Sequence, residues 1–77
     1  MLNKVILMGR LTAEPEIRQT ANNLSTCRFT VACDRNFVGQ GQERQADFIT
    51  VVAWRQTAEF VSKYFSKGSM IVVEGNL

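Results

Sequence analysis

Phe48 and Trp54 bracket the stretch Asp47-Phe48-Ile49-Thr50-Val51-Val52-Ala53-Trp54, which has the composition of a β-strand. Successive side chains of a strand point to opposite sides, so Phe48, Thr50, Val52 and Trp54 share one face, and Ile49, Val51 and Ala53 share the other. At about 3.3 Å per residue the two rings stand roughly 20 Å apart. That separation suits an extended ligand carrying several flat groups better than a compact metabolite, and a single-stranded nucleic acid is such a ligand. The competing reading puts both rings in the core, the usual fate of aromatics in a small domain. On these residues alone the two readings stand even.

The remaining candidate chemistry is mostly excluded by what the chain lacks. There is no histidine, the commonest general base and metal ligand. Cys27 and Cys33 are the only cysteines; on one strand they would sit about 20 Å apart, too far for a disulfide. Without histidine they cannot complete a four-ligand zinc site or form the usual thiol-imidazole pair, so reduced thiols packed in the core are expected, and no cofactor. Gly39-Gln40-Gly41 is too short for a phosphate-binding loop and lacks the Lys and Ser/Thr that must follow one. No enzymatic reaction is indicated.

Nine Lys and Arg against seven Asp and Glu give a net charge of +2, too little to name a partner by itself. Local placement carries more. Arg28 lies on the polar face of an alternating segment, Arg55 follows Trp54 directly, and Arg10 and Arg18 flank a long connection. With Lys67 they form a candidate set for phosphate contact, against the plainer reading of solvated surface charges.

The elements that must position these groups follow from the apolar pattern. Residues 3–11 carry Val5-Ile6-Leu7-Met8, a run that predicts a strand buried on both faces and bent at Gly9. Residues 12–24, with Pro15, Asn22 and Asn23, read as a long connection with turns. Residues 25–34 alternate well, with Cys27, Phe29, Val31 and Cys33 on one face and Thr26, Arg28, Thr30 and Asp34 on the other. Residues 36–46 read as a hairpin loop with Phe37 at its base. After Trp54 the period changes: Ala58, Val61 and Phe65 mark a helix of about three turns, widened by Phe60 and Tyr64 and capped by Gly68. The helical spacing assigns Phe60, Tyr64 and Phe65 to packing, with the helix plugging one end of the fold, and leaves the Tyr64 hydroxyl free to reach the rim. Met70-Ile71-Val72-Val73 supplies a fourth strand.

Strand, strand, strand, helix, strand is the order of an all-β protein with one helix, the OB-fold Greek-key barrel, in which the helix lies between the third and fourth strands. A fifth strand would still have to follow Leu77, so the sequence reads as a single, C-terminally incomplete domain over residues 1–77. The first and fourth strands are then expected to expose unpaired edges. The N-terminal apolar run is shorter than a signal-peptide core and far shorter than a membrane span, which predicts a cytoplasmic protein with no membrane partner.

Several segments resemble one family in the same order and at matching spacings. These are the opening Leu2-Asn3-Lys4-Val5-Ile6-Leu7-Met8-Gly9-Arg10-Leu11, then Pro15-Glu16-Ile17-Arg18, then Ala58-Glu59-Phe60-Val61, and Lys67-Gly68-Ser69. The family is that of the bacterial single-stranded DNA-binding proteins, and the resemblance covers essentially the whole chain. It implies that Phe37, Phe48 and Trp54 stack on bases, and so selects the two rings that strand geometry had put on one face. It further implies a homotetramer, association with the nucleoid, and service in replication, recombination and repair. The family's acidic tip, which recruits replication and repair proteins, and a further stacking ring would both fall beyond Leu77. Two alternatives keep the fold and change the ligand: a module that binds proteins along its strand edges, and an RNA-binding domain, since stacking accepts either sugar.

Overall fold

The computed structural model describes residues 2–35 and 45–77. Five strands and one helix follow in the order β1 (Val5–Leu11), β2 (Glu16–Gln19), β3 (Ser25–Asp34), β4 (Ala46–Trp54), α1 (Arg55–Tyr64) and β5 (Met70–Gly75). All pairings are antiparallel: β3 pairs with β2, β1 and β4, and β1 pairs with β5. The architecture is the OB-fold with one helix between the long strands and the last one, and the sheet does not close among the described residues.

The alternation of β3 decides where the core lies. Cys27, Phe29 and Val31 are buried, while Thr26, Arg28 and Thr30 face the other way. Leu11, Ala53, Ala58, Val61 and Ile71 complete the core from β1, β4, α1 and β5, with Cys33, Val51, Phe65 and Val73 packed at its margin. Burial also raises the Cys27 thiol above its ordinary pKa, because a thiolate there would lose its hydration.

Four features depart from the sequence reading. The connection over residues 12–24 contains β2, whose four residues are all exposed and therefore carry no apolar alternation. Backbone pairing holds it, from Glu16 opposite Arg28 to Gln19 opposite Ser25. A tight turn closes that ladder: Thr20 N–H donates to the Leu24 carbonyl at 2.9 Å, and Asn23 sits at φ 61°.

β1 is not buried on both faces. Ile6 and Met8 are exposed, Val5 and Leu7 are half-buried, and only Gly9 and Leu11 are buried. Gly9 is required by close approach, since a Cβ there would collide with the Ala32 carbonyl oxygen and lie 2.7 Å from Val31 Cγ1.

Gly68 does not cap the helix. The helix ends at Tyr64, and the extended Phe65 closes it by donating its N–H to the Val61 carbonyl at 3.0 Å. Gly68, at φ 87°, instead makes the turn into β5; its N–H donates to the Leu11 carbonyl at 2.8 Å, tying that turn to β1.

The free edges also differ. β1 pairs with β5 over Val5–Arg10 but with β3 only at Arg10 and Leu11, so one side of its first half has no ladder partner among the described residues. Among the described residues the outer edge of β5 is free as expected, and the outer edge of β4 is free as well. Between those two outer edges lies an apolar groove of about 610 Å³ whose lining includes Ile49, Val51, Phe65 and Val73.

Candidate nucleic-acid interface

β3 and β4 pair over their full facing length, and cross-strand partners share a face, so the register orders the exposed side chains into rows. Trp54 stands beside Thr26, which stands beside Arg18 of β2. The next row holds Val52, Arg28 and Glu16. Thr50 pairs with Thr30, and the last row runs from Phe48 through Ala32 to Arg10 of β1. Phe48 is 68% and Trp54 54% exposed, while Ala53 on the opposite face is 8% exposed. The two large rings therefore belong to the outer surface and not to the core.

Small and β-branched residues separate them. Thr50, Val52, Thr30 and Ala32 leave the rings standing proud of a low floor, as a track for stacked flat groups needs. Sequence reasoning placed Thr50 and Val52 on this face but gave them no part in it. Their signal is only the alternation itself.

The basic residues fall at different places around this floor. Arg28 rises from its middle and is exposed. Arg18 lies at the Trp54 end, where its Nη2 meets Glu16 Oε2 at 3.3 Å in an exposed ion pair. Arg10 closes the Phe48 row, and its Nη1 donates to the Gly68 carbonyl at 3.0 Å. Lys67 precedes that glycine and is anchored through its backbone N–H, which donates to Glu14 Oε1 at 3.1 Å. Arg55 begins α1 at φ 57°, turning the chain from strand to helix with no intervening loop. Arg28 and Arg55 form no salt bridge among the described residues.

Phe37 lies outside the described residues, as does most of the expected hairpin loop. The stem of that loop is fixed by Arg35. Its N–H donates to the Gln45 carbonyl at 3.0 Å, and its guanidinium meets Gln45 Oε1 at 3.0 Å and Asp47 Oδ1 at 3.1 Å.

The helical aromatics are a correction. Only Ala58 and Val61 of α1 are buried; Phe60 and Tyr64 are exposed, so they do not plug the fold, and only Phe65 is partly covered. The rings of Phe60 and Tyr64 lie 4.9 Å apart, with Lys63 Nζ 5.5 Å from the Tyr64 ring centre. They stand on the helix and not on the β3–β4 face. Among the described residues no cluster of three or more His, Cys, Asp or Glu could hold a metal ion, and no helix is long and apolar enough to cross a membrane.

Comparison with known proteins supplies a family. The model of the family described as "Single-strand binding protein family" matches residues 2–77. Single-stranded DNA-binding protein A of Bacillus subtilis (strain 168) is 49% identical over 77 residues, which is all of this chain and 45% of that protein. Single-stranded DNA-binding protein 2 of Streptococcus agalactiae serotype III (strain NEM316) is 52% identical over 77 residues, 59% of its length. The single-stranded DNA-binding protein of Streptococcus pneumoniae serotype 4 (strain ATCC BAA-334 / TIGR4) is 47% identical over the same span, 49% of its length. The chain thus spans about half the length of the curated relatives it matches. With a family match over 2–77 and the OB-fold beneath it, this chain belongs to the single-strand binding protein family.

Proposed function

We propose that this chain binds single-stranded DNA with little regard for sequence and catalyses no reaction. Phe48 and Trp54 stack on bases, with Phe37 joining them from the neighbouring loop. Arg10, Arg18, Arg28, Arg55 and Lys67 neutralise phosphates along the path. The observation that carries this reading is the outward placement of Phe48 and Trp54 on one face of a strand whose other face carries the buried Ala53 and the half-buried Ile49 and Val51.

Stacking is worth about 1 to 3 kcal/mol per base, so three rings offset much of the roughly 8 kcal/mol of a micromolar complex before association costs. Five phosphate contacts set an upper bound of about −3.5 on the slope of log K against log salt, at about 0.7 per contact for single strands. The protein acts in the bacterial cytoplasm, at the nucleoid, in replication, recombination and repair.

The working form is a homotetramer. Ile6, Met8 and Val72 are each about two-thirds exposed on the outer face shared by β1 and β5, and part of β1 has a free edge. An apolar face continuous with an unpaired strand edge favours association between copies.

Fluorescence anisotropy with labelled oligo(dT), the same length of duplex DNA and an RNA oligomer tests the ligand. Binding in the order oligo(dT), RNA, duplex is expected. Equal binding to duplex would contradict a stacking track, and preference for RNA would move the assignment to an RNA-binding domain.

A further inference from the structure

Glu16 is an acidic residue inside the basic surface. It belongs to β2, where all four residues are exposed, and it stands directly opposite Arg28 in the β2–β3 ladder. Its Oε2 lies 3.3 Å from Arg18 Nη2. Thr26, the ladder partner of Arg18, donates its hydroxyl to the Arg18 carbonyl at 3.4 Å and so fixes that end of the strand. Beside these groups lies a concavity of about 310 Å³, lined by Thr12, Glu14, Glu16, Arg28 and Thr30. One carboxylate therefore touches one of the candidate phosphate-binding guanidiniums and faces another, next to a polar hollow.

We propose that Glu16 is an internal competitor for phosphate, so that the DNA backbone must displace its carboxylate from Arg18, and from the approach to Arg28, before either arginine is engaged. This rests on the single-stranded DNA reading above. In the free protein the carboxylate keeps Arg18 ordered and partly neutralised. On binding, phosphate takes its place, and the freed carboxylate gathers a cation from solvent. That uptake cancels part of the cation release from DNA, so Glu16 both weakens binding and flattens its salt dependence. The pair is solvent-exposed, which sets the scale of the effect at about two- to fivefold in affinity.

The test is Glu16→Gln in the 77-residue chain, which keeps shape and hydrogen bonding and removes the charge. Affinity for oligo(dT) is measured from about 0.05 to 0.3 M salt, a range over which exposed charges become strongly screened. Glu74→Gln is the control: it removes the same charge from β5, where Glu74 pairs with Lys4 at 2.8 Å away from the β3–β4 face. Glu16→Gln should bind about two- to fivefold tighter at low salt, with the gain shrinking as salt rises and a slope steeper by up to about 0.7. Glu74→Gln should leave both quantities close to the parent. Equal affinity and slope in Glu16→Gln and the parent would overturn the proposal, as would an equal gain in Glu74→Gln, which would mark a general charge effect. The parent titration separates the two levels: no binding by the parent ends the DNA reading and this proposal together, whereas parent binding with an indifferent Glu16→Gln ends only this one.

Discussion

Replacing Phe48 by Ala separates a ring used for binding from a ring used for folding. Phe48 is 68% exposed, and its cross-strand partner Ala32 is too small to cover it, so the substitution opens no buried cavity. Exposed positions away from caps and cores usually change stability by no more than about 0.5 kcal/mol. The loss of one stacked base is worth about 1 to 3 kcal/mol, or about 5- to 140-fold in Kd. Two readouts decide the matter: a urea midpoint for folding, and a titration with oligo(dT) at several salt concentrations for binding. An unchanged midpoint, weaker binding within that range and an unchanged salt slope are expected, because no phosphate contact is lost. Phe48→Tyr should restore most of the affinity. Affinity within twofold of the parent, or a fall in binding that tracks a fall in stability, would refute the assignment of Phe48 to the track.

Arg28→Ala makes the complementary prediction, weakening binding most at low salt and reducing the magnitude of the slope by about 0.7, with stacking untouched. Leu11→Ala should lower stability by about 2 to 5 kcal/mol in denaturant unfolding, since Leu11 is fully buried among β1, β3 and β5. For Cys27, burial holds the native pKa above the ordinary 9.0. The native state keeps a proton that the unfolded chain releases, so stability is level below that pH and declines as pH rises past it. Unfolding free energies between pH 7 and pH 10 should show that decline in the parent and a shallower one in Cys27→Ala.

Where burial was one-sided and the segment long, residue pattern and structure agree. The alternation of Cys27, Phe29 and Val31 marks the core face of β3, whereas the spacing of Phe48 and Trp54 puts both rings on one face of β4 without deciding whether that face is core or surface. β2 was invisible because backbone pairing holds it and its side chains all face solvent, leaving no apolar period to detect. β1 read as doubly buried because Ile6 and Met8 look like core residues; nothing in composition marks an apolar side chain as exposed. Phe60 and Tyr64 misled in the same way, since helical spacing cannot show that Ala58 and Val61 alone fill the contact. Glu16 carries no mark in the sequence because its place lies in a ladder register, opposite Arg28 and beside Arg18, that only the fold reveals.

Trp54 is the only tryptophan in the chain, so its fluorescence reports directly on the surface to which the function is assigned. Titration of the 77-residue chain with oligo(dT) should quench that emission in a saturable way, while duplex DNA at the same phosphate concentration should quench it little. Binding detected by anisotropy with no change in Trp54 emission would contradict the account, because the strand would then be held without meeting the ring.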